Sequence, residues 1–427
     1  MIVLVLSIHH AHCTTVETIV SSVVSYGARG DGQTDDTKAL LDAWNAACSG
    51  GGASRRYGSS SYASMVLVPG GRTFVISPVQ LKGPCKSLIT LQVAGNLVAS
   101  TRFLTSDETT RDWIVIRKVS GLTIQGGGVL DGRGKQWWPK SCKFDSTQPC
   151  HRAPTSLVLH DSERVLVDGL TLVNSQQIHF SIFHSSNVTA TNLIVSAARK
   201  SPNTDGVHVQ GSKFVNLGTI TIDTGMPASF SFFLSFFPFL TLFALLDGDD
   251  CISIGANTSH VSMRDITCGA GHGISIGSLG NYKSAAFVSN ISLDGALLAN
   301  TTNGLRIKTW PASGGVGLAT GISFRNVQMD NVKNPIIIDQ FYCDMESSPQ
   351  GCDHGSGVEV RDVVYENISG SSATPVGVKL NCNHPCTEIV MSNIRLIQTR
   401  DGSPCTAQCS HVYGRAYNAT PPPCLLV

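Results

Sequence analysis

One pattern of apolar and polar positions recurs along the chain from Val165 onward. Its template is apolar-x-apolar-x-x-apolar-x-apolar, which places two short strand-like runs one after the other. Successive copies start 23, 27, 46, 25, 36, 36 and 31 residues apart. The copies are Val165/Val167/Leu170/Leu172, Val188/Ala190/Leu193/Val195, Val215/Leu217/Ile220/Ile222, Val261/Met263/Ile266/Cys268, Ala286/Val288/Ile291/Leu293, Ile322/Phe324/Val327/Met329, Val358/Val360/Val363/Tyr365 and Ile389/Met391/Ile394/Leu396.

Repeat units of this size, with two short strands and no long helix, are typical of a solenoid. We therefore expect an all-β fold, a single parallel β-helix over 22–427. A sandwich or barrel would need hairpin signals such as Asn-Gly between neighbouring strands, and these are sparse. Residues 23–48 predict a strand, a Gly/Asp turn and a short helix over about 36–47 that caps the N-terminal end. The helix is expected to be capped near Thr34 or Asp35. Further strand-like runs lie at Met65–Val68, Thr73–Ile76 and Leu88–Val93.

The spacing of 46 has a local cause. Between Gly225 and Asp249 lie 23 residues of mostly Phe, Leu and Ser, and without them the spacing becomes 23. A transmembrane helix over Ala228–Leu246 is opposed by Pro238, by the absence of flanking basic residues and by the position inside a repeat array. We interpret 226–248 as an anomalous insert, either a retained intron or a surface loop.

Polar residues recur in one register ahead of four of the predicted strands. The first apolar residues of these strands are Val207, Ile252, Ile274 and Leu305. Two positions before them lie, in order, Asp205, Asp250, His272 and Asn303. Because equivalent positions of a parallel β-helix stack about 4.8 Å apart, these side chains are expected to be neighbours on one face.

This register brings together groups with complementary chemistry. Asp205, Asp249 and Asp250 cannot all ionise independently at such a distance, so the pKa of at least one should be raised. A protonated carboxyl beside a carboxylate can protonate a leaving oxygen while the carboxylate activates water. Arg306 and Lys308 alternate along one strand, share a face, and suit an anionic sugar. Singly, each Asp would be a turn residue and His272 a structural histidine; the combination favours a site. Ser253 and Ser275 are interpreted as internal polar positions, because no base accompanies them.

Composition narrows the function further. Charged residues make up 14% of the 427 residues and the net charge is +1, without the basic excess that nucleic-acid binders carry. We therefore expect no nucleic-acid partner, no membrane partner, no cofactor, no metal site and, by default, a monomer. His272 in particular shares its face with no second His or Cys.

Fourteen cysteines, most of them near neighbours, indicate disulfides in an oxidising compartment. The candidates are Cys251 with Cys268, Cys343 with Cys352, and Cys382 with Cys386, and Cys405 and Cys409 also lie close together. Six N-x-S/T sequons begin at Asn187, Asn257, Asn290, Asn300, Asn367 and Asn418. Together these features predict secretion to an extracellular space. Residues 1–21 are expected to be a truncated or weak leader, with an internal start as the alternative.

The motifs Asn203-Thr204-Asp205, Gly248-Asp249-Asp250, Gly271-His272-Gly273 and Arg306-Ile307-Lys308 resemble those of the polygalacturonases, above all the plant-type branch. The resemblance implies a right-handed parallel β-helix and inverting hydrolysis of α-1,4-galacturonosidic bonds in pectin. It implies Asp249 as general acid, Asp205 and Asp250 as activators of water, and His272 as support for the protonation of the acid. Asn203, Arg306, Lys308 and Tyr342 are the implied substrate-binding residues.

Three alternatives stay open. The first is a hydrolase of rhamnogalacturonan on the same fold, although Arg306 and Lys308 favour plain polygalacturonate. The second is a calcium-dependent pectate lyase, which would need a carboxylate cluster that holds Ca²⁺. The third is a cell-wall carbohydrate-binding homologue whose catalysis is impaired by the insert at 226–248.

Overall fold

The structure is a computed structural model, which describes residues 18–50, 63–101, 111–141, 153–198, 201–226, 248–281, 284–311, 316–343, 357–422 and 424–426. Its described strands form three parallel ladders that wind around one apolar interior. Strand-to-strand crossovers in a parallel sheet are right-handed, and the fold is the right-handed parallel β-helix that the sequence predicts.

The back ladder forms one long face. It contains β1 (Thr18–Ser22), β3 (Ala63–Val68), β6 (Leu88–Val93), β9 (Ser120–Gln125), β12 (Glu163–Asp168), β15 (Ser186–Ala198), β17 (Lys213–Met226), β19 (Thr258–Cys268), β21 (Ala286–Ala299), β23 (Gly317–Val332), β25 (Val358–Ser372), β26 (Val376–Gln398) and β27 (Thr406–Thr420).

A short side ladder joins the back ladder at β15, where two strands merge into one long bent strand. It contains β2 (Asp31–Asp35), β4 (Thr73–Ile76), β7 (Asn96–Ala99), β10 (Val129–Asp131) and β13 (Thr171–Val173).

The front ladder carries the polar register. It contains β5 (Val79–Lys82), β8 (Asp112–Arg117), β11 (Thr155–His160), β14 (Phe180–Phe183), β16 (Val207–Gln210), β18 (Ile252–Ile254), β20 (Ile274–Leu279), β22 (Asn303–Thr309) and β24 (Asn334–Asp339), and it continues into β26.

The interior is filled by the apolar positions of the repeat. Val207, Ile252, Ile274 and Leu305 pair in one row across the front ladder, and each is 0% exposed. Similar apolar side chains stack on one another at each coil, so the same contact removes apolar surface from water at every coil. The predicted inward row is therefore confirmed.

Two of the eight predicted repeat copies are out of register by five residues. The strand residue opposite Val261 is Ile291, not Ala286, and the residue opposite Ile322 is Val363, not Val358. The cause is the template itself, in which apolar residues recur at steps of two and three. A shift of five residues therefore superimposes the pattern on itself, and only the strand pairing resolves the register.

The N-terminal cap is the helix α1 (Thr37–Cys48), which agrees with the predicted span of 36–47. Its buried face includes Leu40 and Trp44, and the indole Nε1 of Trp44 donates to the carbonyl oxygen of Lys82 at 3.1 Å. The predicted apolar face, namely Ala39, Leu40, Ala43, Trp44 and Ala47, is buried throughout.

Asp36 precedes the helix, and its carboxylate accepts hydrogen bonds from the N–H groups of Arg29 and Gly30. The predicted cap at Asp35 is confirmed, because Asp35 Oδ1 accepts the N–H of Thr37 at 2.9 Å. The expected first strand at residue 23 is a 3₁₀ turn, Val23–Tyr26. The strand β1 precedes it and includes residues 18–21, which the sequence had assigned to a leader. Residues 1–17 lie outside the described residues.

The two ends of the apolar insert meet in one coil. Residues 227–247 lie outside the described residues, but β17 ends at Met226 and Gly248 packs on Thr224. A Cβ at Gly248 would lie 2.2 Å from the carbonyl oxygen of Thr224, so only glycine fits there. Because β16 pairs directly with β18, and β17 with β19, the coil continues across the insert without a missing strand.

Candidate active site

The polar register predicted from the sequence is assembled on the front ladder. Asp205 precedes β16, Asp249 and Asp250 precede β18, and His272 precedes β20. Arg306 and Lys308 lie on β22, two strands beyond β18. The structure thus brings all four predicted catalytic residues together with the two predicted cations.

Asp250 is the most heavily bonded of the three carboxylates. It is 2% exposed, and its Oδ1 accepts from Arg306 Nη2 at 2.6 Å and from Ser275 Oγ at 2.8 Å. Its Oδ2 accepts from Lys308 Nζ at 3.0 Å. Burial opposes ionisation of Asp250, but the charges of Lys308 and Arg306 outweigh it, and the pKa is lowered below its usual value. Asp250 is therefore a fixed carboxylate.

Asp205 has the opposite electrostatic setting. Its Oδ2 accepts a hydrogen bond from Ser253 Oγ at 2.6 Å. Burial first, and then the negative charges of Asp249 and Asp250, raise the pKa of Asp205 well above its usual value. The cluster therefore contains one carboxyl that holds a proton readily beside one that does not, as the stacked register predicted.

Asp249 and His272 face each other across neighbouring coils. Nδ1 of His272 lies 3.1 Å from Asp249 Oδ1, and the same oxygen accepts the N–H of Asp250 at 2.8 Å. Their side chains are 15% and 30% exposed, so both are accessible to a substrate. Asp205 is also partly exposed, and only Asp250 is buried.

Three residues of the cluster could in principle contribute ligands to a cation. One ligand atom each from Asp249, Asp250 and His272 lies within 4.8 Å of the others. Both oxygens of Asp250, however, are engaged by Arg306 and Lys308, whose positive charges oppose a further cation at this position. The arrangement suits acid–base chemistry better than cation binding.

Comparisons with known proteins agree with this geometry. The family model of glycosyl hydrolases family 28 matches residues 59–226 and 242–418. Polygalacturonase-2 of Solanum lycopersicum is 41% identical over 406 residues, which cover 94% of this chain and 80% of that protein. A polygalacturonase of Persea americana is 40% identical over 400 residues, covering 92% of this chain and 76% of that protein. This chain belongs to glycosyl hydrolase family 28.

Solved structures support the fold. An endo-xylogalacturonan hydrolase from Aspergillus tubingensis superimposes with a TM-score of 0.73 at 24% sequence identity, covering 93% of this chain and 98% of that one. A polygalacturonase from Erwinia carotovora superimposes with a TM-score of 0.64 at 21% identity, covering 96% and 99%. The family-28 chain is thus a glycoside hydrolase of polygalacturonase type, and the expected enzyme class is confirmed. The rhamnogalacturonan, lyase and non-catalytic alternatives are not favoured.

The family model leaves residues 227–241 unmatched, and these fall inside the predicted insert. It matches the chain again from residue 242, so the boundaries of the insert at 226–248 stay a prediction. Asp249 follows the insert directly, and its carbonyl oxygen accepts the N–H of His272 at 2.9 Å. In this family-28 chain the insert therefore ends directly before the predicted catalytic residue Asp249.

The other predicted substrate-binding residues surround the cluster. Lys308 Nζ lies 5.0 Å from the centre of the Tyr342 ring, and Tyr342 contacts Trp310 edge-on at 5.6 Å. Asn203 lies in the turn before β16 with φ of 57°. Arg306 and Lys308 are buried and paired with Asp250, so the two predicted sugar-binding cations also hold a carboxylate of the cluster.

Sequence reasoning missed a row of polar residues on the outer face of the front ladder. These residues follow the inward apolar positions by one, and they pair in register across five strands. We call them the floor row: Ser181, His208, Ser253, Ser275 and Arg306. Only Arg306 was recognised as a site residue. The signal was available, because alternate strand residues point to opposite faces and each of these positions lies between two apolar ones.

Ser253 and Ser275 are buried polar positions, as the sequence predicts, and both also contact the carboxylate cluster. Ser253 donates to Asp205 and Ser275 donates to Asp250. Their hydroxyl groups therefore orient two carboxylates of the cluster, a role that needs no neighbouring base.

Disulfides in the described residues confirm part of the predicted set. Cys251–Cys268 and Cys382–Cys386 are bonded as expected, and the first lies beside Asp250. Cys343 is disulfide-bonded, while Cys352 lies outside the described residues. Cys405 and Cys409 are not paired with each other: Cys409 bonds Cys424, and Cys405 is a buried free thiol. A further bond, Cys48–Cys85, ties α1 to the first coils.

No helix among the described residues is long and apolar enough to cross a membrane. The stretch Ala228–Leu246, for which the sequence raised that possibility, lies outside them.

Proposed function

We propose that this protein hydrolyses α-1,4-galacturonosidic bonds of polygalacturonate with inversion at the anomeric carbon. Asp249 is the general acid that protonates the leaving oxygen, because it is partly exposed and contacts His272. Asp205 and Asp250 position and activate the attacking water. The observation that supports this assignment best is the contact of 3.1 Å between Asp249 and His272, in a cluster whose other two carboxyls have one raised and one lowered pKa.

Three coupled carboxyls can hold one proton in more than one place. The pairing of Asp250 with Arg306 and Lys308 fixes one negative charge, so the proton is shared between the remaining two. His272 at 3.1 Å from Asp249 supports the acid form that protonates the leaving group. Hydrolysis moves a proton from Asp249 to the leaving sugar, and the attacking water returns one to the cluster.

The substrate is a polyanion, and the site offers cations and an aromatic ring beside the acid. Arg306, Lys308, Asn203 and Tyr342 bind galacturonate in this proposal, with the Lys308 ammonium held between Asp250 and the Tyr342 ring. Because both cations also stabilise Asp250, a bound sugar carboxylate would compete for them and change the charge balance of the cluster.

The protein acts outside the cell as a monomer in this proposal, without a cofactor, a nucleic-acid partner or a membrane. Four disulfides whose partners are both described support an oxidising compartment. The plant polygalacturonases that it resembles act on the same polymer by name.

We also propose that residues 226–248 are foreign to the functional enzyme. Removing them joins Gly225 to Asp249, restores Gly-Asp-Asp, and makes the step from Val207 to Ile252 equal to the 22 residues between Ile252 and Ile274. The contact of Gly248 with Thr224 supports this, since the chain returns to the coil beside the point at which it leaves.

Two secreted versions, the full chain and one lacking 226–248, test both proposals. Reducing ends released from polygalacturonate at mildly acid pH are measured, with Asp249→Asn in the shortened version as control. We expect the shortened version to be active and its Asn variant to lose activity by about 10²–10⁴-fold. Equal activity of both versions would show that the insert is a tolerated loop. Absence of activity in both would reject the substrate or the catalytic assignment.

A further inference from the structure

His208 lies beside the cluster and has no part in the mechanism proposed above. Its Nδ1 is 2.7 Å from Ser253 Oγ, and its Nε2 is 3.1 Å from Gln210 Oε1. Ser253 Oγ is in turn 2.6 Å from Asp205 Oδ2. These contacts form one continuous chain of hydrogen bonds, from Asp205 through Ser253 and His208 to Gln210.

The number of protons fixes the direction of each bond in this chain. When Asp205 is ionised it can only accept, so Ser253 donates its single hydroxyl proton to Asp205 Oδ2. The serine oxygen then has only lone pairs to offer to His208. The contact of 2.7 Å is a hydrogen bond only if His208 Nδ1 carries a proton.

When Asp205 is protonated, the two bonds made by Ser253 reverse, while the bond from His208 to Gln210 keeps its direction. The Asp205 carboxyl donates to Ser253 Oγ, Ser253 donates to an unprotonated His208 Nδ1, and Nε2–H donates to Gln210 Oε1. Going from this state to the ionised one moves two protons. The Oδ2–H proton passes to Ser253 Oγ, and the serine proton passes to Nδ1, which leaves a carboxylate and an imidazolium with the total charge unchanged.

We propose that His208 is a positioning residue that controls the charge of Asp205 through Ser253. As an N–H donor it holds Ser253 in the orientation that stabilises Asp205 as a carboxylate, the form that activates water. This inference rests on the proposed function for the role of Asp205, but the coupling between His208 and Asp205 is a property of the hydrogen-bond chain alone.

The surroundings favour a chain that can hold its proton at either end. Burial raises the pKa of Asp205 and lowers that of His208, and both shifts favour the state in which the carboxyl carries the proton and the imidazole is neutral. Other charged or titratable groups face this pair from the neighbouring strands and turns. They are Asp249, Asp250, Lys308, Arg306, His272 and the buried His179, whose Nδ1 contacts the carbonyl oxygen of Asp205.

The first test measures kcat/KM against pH for His208→Ala. Loss of the donor removes stabilisation of ionised Asp205, so the midpoint of the acid limb should move upward by about one pH unit. A variant whose activity falls by the same factor at every pH, with the midpoint unchanged, would assign His208 a purely structural role and overturn the proposal.

Three further variants localise the effect. His208→Asn keeps an N–H near the Nδ1 position and should restore the wild-type midpoint. Ser253→Ala should raise the midpoint by itself, and His208→Ala should add no further shift in that background; additive shifts would contradict a route through Ser253. His260→Asn is the control. His260 is an exposed histidine outside the floor row, and its ring centre lies 4.8 Å from that of Phe214, so the midpoint should stay unchanged.

A second measurement does not depend on activity. Nitrogen NMR of the histidine rings in the full chain reports the tautomer and titration of His208. The His208 signal is assigned as the one that is missing from the spectrum of His208→Asn. Asp205→Asn has no ionisable carboxyl group at this position, so the His208 titration should shift relative to wild type. An unchanged titration would reject the coupling, whereas a shifted one without hydrolysis of polygalacturonate would reject only the proposed function.

Discussion

Two stacks of polar residues run along this β-helix, and they differ in composition. On the front ladder the floor row changes residue at almost every coil, with serine, histidine and arginine in register. At a corner of the back ladder the same residue is repeated. We call this second stack the asparagine ladder: Asn326, Asn367, Asn393 and Asn418.

The asparagine ladder forms a regular row of hydrogen bonds, and its first member, Asn326, donates to Asp294 Oδ1 at 2.6 Å. Each amide donates to the side-chain oxygen of the residue one coil before it, over 3.0 Å for Asn367, Asn393 and Asn418. All four residues are exposed and have φ between 47° and 56°, a left-handed conformation that asparagine tolerates better than most residues. Because the same residue is repeated, the side-chain amides of successive coils form the same hydrogen bond each time.

The side chains of the floor row do not share one hydrogen-bonding pattern. Its members bond to carboxylates outside the row: Ser253 to Asp205, and Ser275 and Arg306 to Asp250. Different residues at equivalent positions give the carboxylates different pKa values, and that difference is what acid–base catalysis requires. In this fold a uniform stack therefore stabilises the solenoid, whereas a varied stack supports chemistry.

The largest effect is expected from removing the negative charge of Asp250, to which Ser275 and Arg306 of the floor row are bonded. Asp250→Asn deletes the fixed carboxylate and leaves Arg306 and Lys308 buried without their partner. We expect kcat to fall by about 10²–10⁴-fold and the free energy of unfolding to fall by about 3–5 kcal/mol. Steady-state kinetics and denaturant unfolding measure the two losses.

A surface ion pair on the back ladder provides the control. Arg325 and Glu366 are 44% and 37% exposed and their side-chain atoms lie 2.8 Å apart. Glu366→Gln should change the free energy of unfolding by less than about 1 kcal/mol and leave kcat unaltered. If Asp250→Asn behaved like this control, Asp250 would have no place in the mechanism.

The same contrast explains what the sequence could and could not predict. Asp205, Asp250 and His272 were predictable because they share one offset from an apolar residue that the repeat identifies. His208 was missed, although it lies in register with Arg306, because a single histidine on a strand carries no chemistry of its own. The copies at 286 and 358 were misplaced because the apolar template is nearly self-similar after five residues. Strand pairing, which depends on long-range contacts, decided between the two registers.

A smaller change should alter the pH dependence of the front ladder. Lys308→Met removes one of the two cations that lower the pKa of Asp250 against the effect of burial. The pKa of Asp250 should rise, so the acid limb of kcat/KM should move upward by about one pH unit. The stability that ionised Asp250 contributes is present above its unfolded pKa and lost as pH falls through the lowered folded pKa; in the variant this loss should begin at higher pH.

Lys379 offers a matched control on the same ladder. It follows Arg306 and Ile337 in register, but it is exposed and contacts none of the three carboxylates. Lys379→Met should leave the acid limb in place. An equal shift in both lysine variants would indicate a general effect of net charge, and the specific role of Lys308 at Asp250 would be rejected.

The smallest effect on activity is expected in the uniform stack. Asn367→Ala removes two hydrogen bonds, those with Asn326 and Asn393, and places a Cβ-bearing residue without a polar side chain at φ of 54°. We expect the free energy of unfolding to fall by about 2–3 kcal/mol, with kcat per folded molecule unchanged. Asn367→Gly tolerates the left-handed conformation and should cost about 1 kcal/mol less.

Asn367 also begins the sequon Asn367-Ile368-Ser369, so a glycan could contribute to the same loss of stability. Ser369→Ala abolishes the sequon while leaving the amide of Asn367 in place. Since the amide nitrogen of Asn367 already donates to Asn326, we expect Ser369→Ala to be close to neutral in unfolding measurements. A loss equal to that of Asn367→Ala would mean that glycosylation, not the asparagine ladder, stabilises this corner, and the distinction between uniform and varied stacks would then hold only for the front ladder.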